Sequence, residues 1–245
     1  MNRFRVSVLG LPRDRFEQAV RIGVRVLEEG LPDAGREKPG PGVEYLSPDE
    51  LTLVRVTAWD PDVEHAARLE FDDGLDFVAE GSASLSSVGR PRVLRVSGGV
   101  MFTGLRWFRG WGRVDFALEL DLERWWAAAG PLRKAADRRR GAPLTGRVTH
   151  RVGAVAFRVT PAADGTERWR ITLELAPRGR GVFRVPVAVA ARVFRRRIRG
   201  GIETGLAEMA GEWDEEMAEL ARMTPEELYG ELAADLAESL AGDEG

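Results

Sequence analysis

The sequence contains no cysteine, only two histidines and no long hydrophobic run. Without cysteine, disulfides, thiolate metal sites, iron–sulfur clusters and cysteine nucleophiles are all excluded. No stretch approaches the roughly 20 apolar residues that cross a bilayer, and the basic start of the chain lacks the apolar core of a signal peptide. We therefore expect a soluble, cytoplasmic protein with no integral membrane segment.

Lysine is nearly absent: of the 36 basic residues, only Lys38 and Lys134 are lysines, and all the others are arginines. Acidic residues outnumber these, and the formal net charge is −3. Nucleic-acid binding normally requires a basic excess, so the charge balance argues against a nucleic-acid partner.

The stretch GLRWFRGWGR at 104–113 interleaves aromatic and basic residues, as a base-stacking surface does. The strand that follows carries Asp115 and Glu119, however, and no RNP pattern is present. We interpret the stretch as part of a hairpin, with strands over 100–108 and 113–120 and a turn at RGWG. Trp107 and Trp111 then cover the sheet near the hairpin end.

The hydrophobic periodicity predicts a strand over 3–9, a helix over 11–31 and a loop without regular structure over 32–50. From Leu51 onward the period shifts to two. Six segments separated by turn residues then predict an antiparallel meander that ends near Leu122.

A helical insertion is predicted at 121–140, and two more strands follow around 151–160 and 168–176. The Asp164-Gly165 pair between these strands is a hairpin signal. In the second of them, Trp169, Ile171, Leu173 and Leu175 share one face.

The most regular pattern of the sequence lies between Phe183 and Met223. Apolar residues recur there every three to four positions and form one stripe: Phe194, Ile198, Ile202, Leu206, Met209, Trp213, Met217 and Leu220. This spacing predicts one long amphipathic helix. Thr224, Pro225 and Glu227 then make a capping box that begins a final acidic helix.

The stretch GVFRVPVAVAARVFRRRIRGGIETGLAEMAGEW at 181–213 resembles the C-terminus of START-like proteins of the SRPBCC (polyketide-cyclase-like) superfamily. The likeness consists of a last strand, a proline before the helix and a long helix that ends near a tryptophan. It implies a helix-grip fold, in which a curved antiparallel sheet wraps around the helix and leaves a cavity for an apolar small molecule. No catalytic motif of the family is carried over.

Together these observations predict an α+β fold with a curved antiparallel sheet packed on a long C-terminal helix. We expect residues 1–222 to form one domain, which includes the insertion at 121–140. Residues 223–245 are expected to form an acidic C-terminal helical tail.

Aromatic residues and glycines are predicted to line the cavity: Phe102, Trp107, Phe116, Phe157, Trp169, Gly201 and Gly205. Gly200, Gly201 and Gly205 lie inside the predicted long helix, where each glycine costs about 1 kcal/mol relative to alanine. Close packing against a strand or a kink explains such glycines, and so does room for a ligand beside the helix.

The segment WDPDVEH places Asp60, Asp62, Glu64 and His65 together, and these residue types bind divalent ions. Asp-Pro-Asp is also an ordinary turn, and the spacing matches no EF-hand loop. We therefore predict no metal site. No cofactor is predicted either, because the P-loop and dinucleotide glycine patterns are missing.

The favoured function is the non-catalytic binding of an apolar small molecule or lipid in the cavity. A cyclase- or hydratase-like enzyme is the first alternative, and it requires His150, Asp115 or Arg106 to reach inward. We expect His150 at the start of a strand.

The second alternative is an interaction or scaffold protein whose tail, at 224–240, binds a protein partner. The arginine cluster at 195–199 is interpreted as a solvated helix face, or as a partner of acidic residues in the same helix or in the tail. Membrane phosphate is a less favoured alternative partner of this cluster.

Overall fold

The computed structural model describes residues 2–74, 77–102, 112–130, 141–184, 186 and 195–241. The fold class predicted from the sequence is confirmed: the protein is α+β, with a curved antiparallel sheet and a long C-terminal helix that packs on it. Within the described ranges, no helix is both long enough and apolar enough to cross a membrane.

The chain divides into two compact units. Unit 1 consists of Met1–Leu11 and Arg113–Glu219, and unit 2 consists of Pro12–Gly112 and Leu220–Gly245.

Unit 1 holds five strands in the order β1-β10-β9-β8-β7, all paired antiparallel. The strands are β1 (Asn2–Leu9), β7 (Arg113–Asp121), β8 (Leu144–His150), β9 (Gly153–Thr160) and β10 (Arg168–Gly179). Its helices are α2 (Leu122–Ala129) and most of α3 (Arg195–Arg222). The first strand of the chain thus pairs with the last one.

Unit 2 holds a meander of five strands and two helices. The strands are β2 (Glu44–Leu46), β3 (Thr52–Asp60), β4 (Glu64–Asp72), β5 (Phe77–Ser86) and β6 (Val93–Phe102). The helices are α1 (Arg13–Asp33) and α4 (Pro225–Ala241). Its buried apolar side chains include Val26 and Leu31 of α1 and Val56 of β3.

Side-chain caps set the starts of two helices. The amide of Glu227 donates to Thr224 Oγ1 (3.2 Å), and the amide of Thr224 donates to Glu227 Oε2 (2.7 Å), which is the predicted capping box of α4. The backbone hydrogen bond to Thr224 holds the pKa of Glu227 below its usual value. Asp121 caps α2 by accepting from the amide of Arg124 (2.9 Å).

Three details of the sequence prediction are wrong. The segment 32–50 is not free of regular structure, because β2 pairs with β3 there and sets Tyr45 opposite Val54. The glycines Gly98 and Gly99 do not separate two strands: they lie inside β6, where Gly98 sits opposite Gly81. The meander therefore has one strand fewer than its predicted segments.

The third error concerns β8, a strand that the sequence pattern does not predict. Its third residue is Gly146, which lowers the strand propensity of the segment. This glycine lies opposite Phe157 in β9, and the aromatic ring covers it. Because β8 exists, His150 ends a strand rather than starting one.

Parts of four other predictions lie outside the described residues. These parts are the hairpin turn with Trp107 and Trp111, the insertion beyond Gly130, Arg106, and the first part of the long helix with Phe194. The described part of the insertion is a helix that ends at Ala129, with Gly130 as its C-cap residue.

Substitution of Gly146 tests the contact between β8 and β9. A Cβ at this position would lie 2.1 Å from Cζ of Phe157, so the ring must move. We expect Gly146→Ala to lower the free energy of unfolding by about 1–3 kcal/mol, the usual cost of overpacking. Urea denaturation measures this change.

The double variant Gly146→Ala/Phe157→Leu is the control, because a smaller side chain makes room for the new methyl group. It should lose less stability than the sum of the two single variants. Equal stability of Gly146→Ala and the unmodified protein would contradict the contact.

Candidate functional site

The five strands of unit 1 share one apolar face, which follows from the registers of β1, β10, β9, β8 and β7. Side chains alternate along each strand, so every second residue points to this face. The apolar face consists of Phe4, Val6, Val8, Val114, Phe116, Leu118, Leu120, Leu144, Val148, Val155, Phe157, Val159, Trp169, Ile171, Leu173 and Leu175. Three predicted site residues, Phe116, Phe157 and Trp169, belong to it.

Most of the apolar face is only half-buried. Phe4 and Val8 are buried, and the other members keep an intermediate exposure. A sheet face in a filled core would bury nearly all of its aliphatic and aromatic side chains. The face therefore has room for further apolar contacts.

Helix α2 covers one end of this face. The ring of Trp125 meets Trp169 edge to face, with centroids 6.0 Å apart. Trp126 fixes the helix by donating its indole N–H to the carbonyl of Leu11 (3.1 Å). Leu122 at the start of α2 is buried, so this end of the face is packed.

Helix α3 is anchored to β1 at Leu9. The backbone N–H of Leu9 donates to Asp214 Oδ1 (2.6 Å), and Nε1 of Trp213 donates to the carbonyl of Leu9 (2.9 Å). Arg168 holds the same carboxylate through Oδ2 (2.6 Å). The C-terminal half of α3 is thus tied to the end of the edge strand, whose outward backbone groups it satisfies.

A cleft of about 400 Å³ lies between β1 and the earlier turns of α3. This β1–α3 cleft is lined by Arg3, Phe4, Arg5, Val6, Arg199, Glu203, Leu206 and Ala207. Met209, in the apolar stripe of the helix, is 65% exposed. Open space therefore remains beside the apolar side of these earlier turns of α3, although the C-terminal half of the helix is tied to Leu9.

The glycines of α3 are not explained by close packing against a strand. No atom lies within 4 Å of a Cβ built at Gly200, Gly201 or Gly205. Gly201 is exposed, and neither Gly201 nor Gly205 lines the β1–α3 cleft. The predicted contact of these two glycines with a ligand stays a prediction.

Phe102 belongs to unit 2, whereas Phe116, Phe157 and Trp169 belong to unit 1. It ends an aromatic ladder across β4, β5 and β6, in which Phe71 and Phe77, and Phe77 and Phe102, meet edge to face with centroids 5.6 Å apart. The side chain of Phe102 is 48% exposed.

Of the residues named for an enzyme, the structure describes Asp115 and His150, and these two do not come together. Asp115 pairs with Arg113 (2.7 Å) on the polar face of β7. His150 lies on the apolar face, opposite Val114. Neighbouring residues of a strand point to opposite faces, so Asp115 and His150 do not form an acid–base pair.

The segment WDPDVEH forms a turn and then enters β4. Asp60 Oδ1 accepts from the amides of Asp62 (2.9 Å) and Val63 (3.1 Å). Glu64 and His65 are successive residues of β4 and point to opposite faces. Among the residues that the structure describes, no group of three potential metal ligands occurs.

His65 is buried, and neither of its ring nitrogens has a hydrogen-bond partner in the described part of the chain. Its ring meets Trp59 edge to face, with centroids 4.4 Å apart. Trp59 in turn donates its indole N–H to Glu28 (3.0 Å). Burial lowers the pKa of His65, and the carboxylates of Glu28 and Asp60 oppose this shift only in part.

The tail helix α4 packs on α1. Tyr229 donates its hydroxyl to Glu29 (2.7 Å), and the guanidinium of Arg25 lies 4.9 Å from the centroid of the Tyr229 ring. The hydrogen bond donated by Arg25 has the larger effect in lowering the pKa of Glu29, and the one donated by Tyr229 adds to it. The side chain of Leu236 lies against Gly30. Binding of a separate protein by the tail stays a prediction.

No protein-family model, curated protein or solved structure matches this chain. The resemblance to the START-like superfamily therefore stays a prediction.

Sequence reasoning misses the β1–α3 cleft as a site. Arginine is so abundant in the chain that no single one stands out, and the alternation Arg3-Phe4-Arg5-Val6 is that of an ordinary strand. The signal is nevertheless present, since this alternation places a basic residue beside each apolar one.

The pH dependence of stability tests the burial of His65. The unfolded chain takes up a proton near pH 6.5, whereas the folded pKa is lower. The stability that a neutral His65 provides is complete above about pH 6.5 and is lost as the pH falls towards the folded value. We expect the melting temperature to decrease from pH 7.5 to pH 5.5.

The variant His65→Leu should show a smaller decrease, because it removes the titrating ring. His150→Gln is the matched control, because it removes the only other histidine and leaves His65 in place. Equal pH profiles for His65→Leu and the unmodified protein would count against the buried, unpartnered ring.

Substitution of Gly201 tests the open space around α3. The position is exposed and helical, and an added methyl group meets no atom. We expect Gly201→Ala to raise the free energy of unfolding by about 1 kcal/mol, the intrinsic helix preference of alanine. A loss of stability in urea denaturation would show that the glycine is needed for packing.

Proposed function

We propose that the protein binds an apolar small molecule or lipid between the apolar face of unit 1 and helix α3. The observation that carries the proposal is the incomplete burial of this face, of which only Phe4 and Val8 are buried. Apolar surface left partly in water gains about 25 cal/mol for each Å² that a ligand covers.

The dimensions and composition of the β1–α3 cleft support the proposal. Its volume of about 400 Å³ falls in the range of small-molecule sites, which is about 300–1,000 Å³. Phe4, Val6 and Leu206 give it an apolar floor, and charged side chains lie around them.

The topology of unit 1 is also consistent with a helix-grip protein. The first strand pairs with the last strand, and a long helix follows the last strand and returns to the first. The separation of Asp115 from His150 favours binding over acid–base catalysis by these residues.

A neutral fluorescent probe tests the proposal without involving charge. N-phenyl-1-naphthylamine should bind the purified protein and gain fluorescence. Ala207→Trp should weaken this binding at least about tenfold, because the indole fills a cleft in which ligand and side chain compete for the same volume. Ala207 is exposed, so the substitution removes no packed side chain.

Ala221→Trp is the matched control, because Ala221 is exposed on the same helix and lies outside the cleft. It should leave the affinity unchanged, and circular dichroism should show that both variants are folded. Unchanged probe binding by Ala207→Trp would exclude this cleft as the site. Absence of probe binding by the unmodified protein would contradict the proposed function.

A further inference from the structure

The β1–α3 cleft combines an apolar floor with a basic rim. The alternation of β1 sends Phe4 and Val6 to the apolar face and Arg3 and Arg5 to the other face. Helix α3 adds Leu206 and Ala207 to the apolar lining and Arg199 and Glu203 to the polar lining.

Positive charge predominates in this cleft. Three guanidinium groups face a single lining carboxylate, that of Glu203, in a chain whose net charge is negative. Arg199 pairs with Glu203 one helical turn away (2.8 Å), and Arg3 donates to Glu174 through Nε (3.0 Å) and Nη2. Arg5 has no ion pair with any residue that the structure describes.

The backbone of Arg5 contributes a second donor. In an antiparallel edge strand, alternate residues direct their N–H and C=O groups away from the sheet. The N–H of Leu9 points outward and donates to Asp214, and the carbonyl of Ser7 points outward and accepts from Arg168 (3.0 Å). Arg5 lies two positions before Ser7 and four before Leu9 in β1, so its N–H also points to this outer edge of the sheet, along which the cleft lies.

We propose that the ligand of this cleft is an anionic amphiphile, a molecule with one apolar chain and an oxyanion head group. The inference rests on the proposed function and specifies its ligand class. The head group binds the guanidinium and backbone N–H of Arg5, and the chain lies on Phe4, Val6 and Leu206. A carboxylate and a phosphate ester present the same oxyanion chemistry to arginine.

A competition experiment separates the head group from the chain. Laurate, dodecan-1-ol and inorganic phosphate are each used to displace N-phenyl-1-naphthylamine from the full chain at pH 8 and low ionic strength. Laurate should displace the probe at about tenfold lower concentration than dodecan-1-ol, the gain expected of a charge-assisted hydrogen bond. Inorganic phosphate should displace none, because it lacks the chain. A dodecyl phosphate arm distinguishes the two kinds of head group.

Arg5→Gln is the test variant, since the side chain is exposed, has no ion pair among the described residues, and leaves no buried charge when it is lost. It should remove most of the preference for laurate and leave displacement by dodecan-1-ol unchanged. Arg147→Gln is the matched control: Arg147 is exposed in β8, three strands away, and makes no ion pair with a described residue. It should keep the preference.

The outcomes separate a failure of the anionic ligand class from a failure of the proposed binding function. Equal displacement by laurate and dodecan-1-ol, with probe binding intact, would overturn the anionic ligand class and leave the apolar site in place. The ligand class is overturned in the same way if Arg5→Gln and Arg147→Gln behave alike, or if phosphate competes as well as laurate. A protein that fails to bind the probe at all would overturn both proposals.

Discussion

The antiparallel pairing of β1 with β10 is the constraint on which the rest of unit 1 depends. It joins Leu9 to Arg168 and Asn2 to Leu175, so the chain must close a loop of about 160 residues before any of these contacts forms. Once β1 is in place, the outward N–H and C=O of Leu9 become available to Asp214 and Trp213. The position of α3, and with it the cleft, therefore follows from the pairing of the two strands.

The same pairing explains how one short strand supplies two kinds of chemistry. In a strand inside a sheet, both edges are used for pairing and only the faces remain available. As an edge strand, β1 keeps one row of backbone groups that pairs with no further strand, and among the described residues α3 bonds to that row at Leu9. Further back along β1, the apolar face, the basic face and the free edge meet beside the earlier turns of α3. An amphiphile requires all three, because its chain needs the apolar face and its head group needs the basic face and the backbone donors. A purely apolar ligand needs only the apolar face.

The sequence is sufficient to predict the strands and helices that carry a strong period. The alternation at 3–9, the long stripe ending at Leu220 and the capping box at Thr224 each have a local physical cause, and each is confirmed within the described residues. Strand β8 escapes prediction because a glycine inside it, Gly146, is favourable only when Phe157 of the next strand covers it. Gly98 resembles a turn residue for the same reason, since its partner Gly81 is distant in sequence.

The candidate site is harder to predict than the fold because its residues come from opposite ends of the chain. Alternation predicts the apolar side of the strands that carry Phe116 and Trp169, but the strand registers are needed to bring Phe116, Phe157 and Trp169 to one face. The β1–α3 cleft instead joins residues 3–6 to residues 199–207, and no local pattern relates these segments. Composition also misleads, because the abundance of arginine hides Arg5, the cleft guanidinium that has no counter-charge among the described residues.

The glycines of α3 connect the anchoring of the helix to its proposed use. Near Asp214 and Trp213 the helix is tied to β1, but around Gly200, Gly201 and Gly205 no neighbouring atom offsets the cost of glycine. Helices in proteins owe most of their stability to packing, and the turns that carry these three glycines lack packing contacts at the glycines themselves. The apolar chain of a ligand that lies on Leu206 and Met209 would supply the missing contacts. Ligand binding and helix stability are then linked, because a ligand that binds only the ordered helix stabilises it.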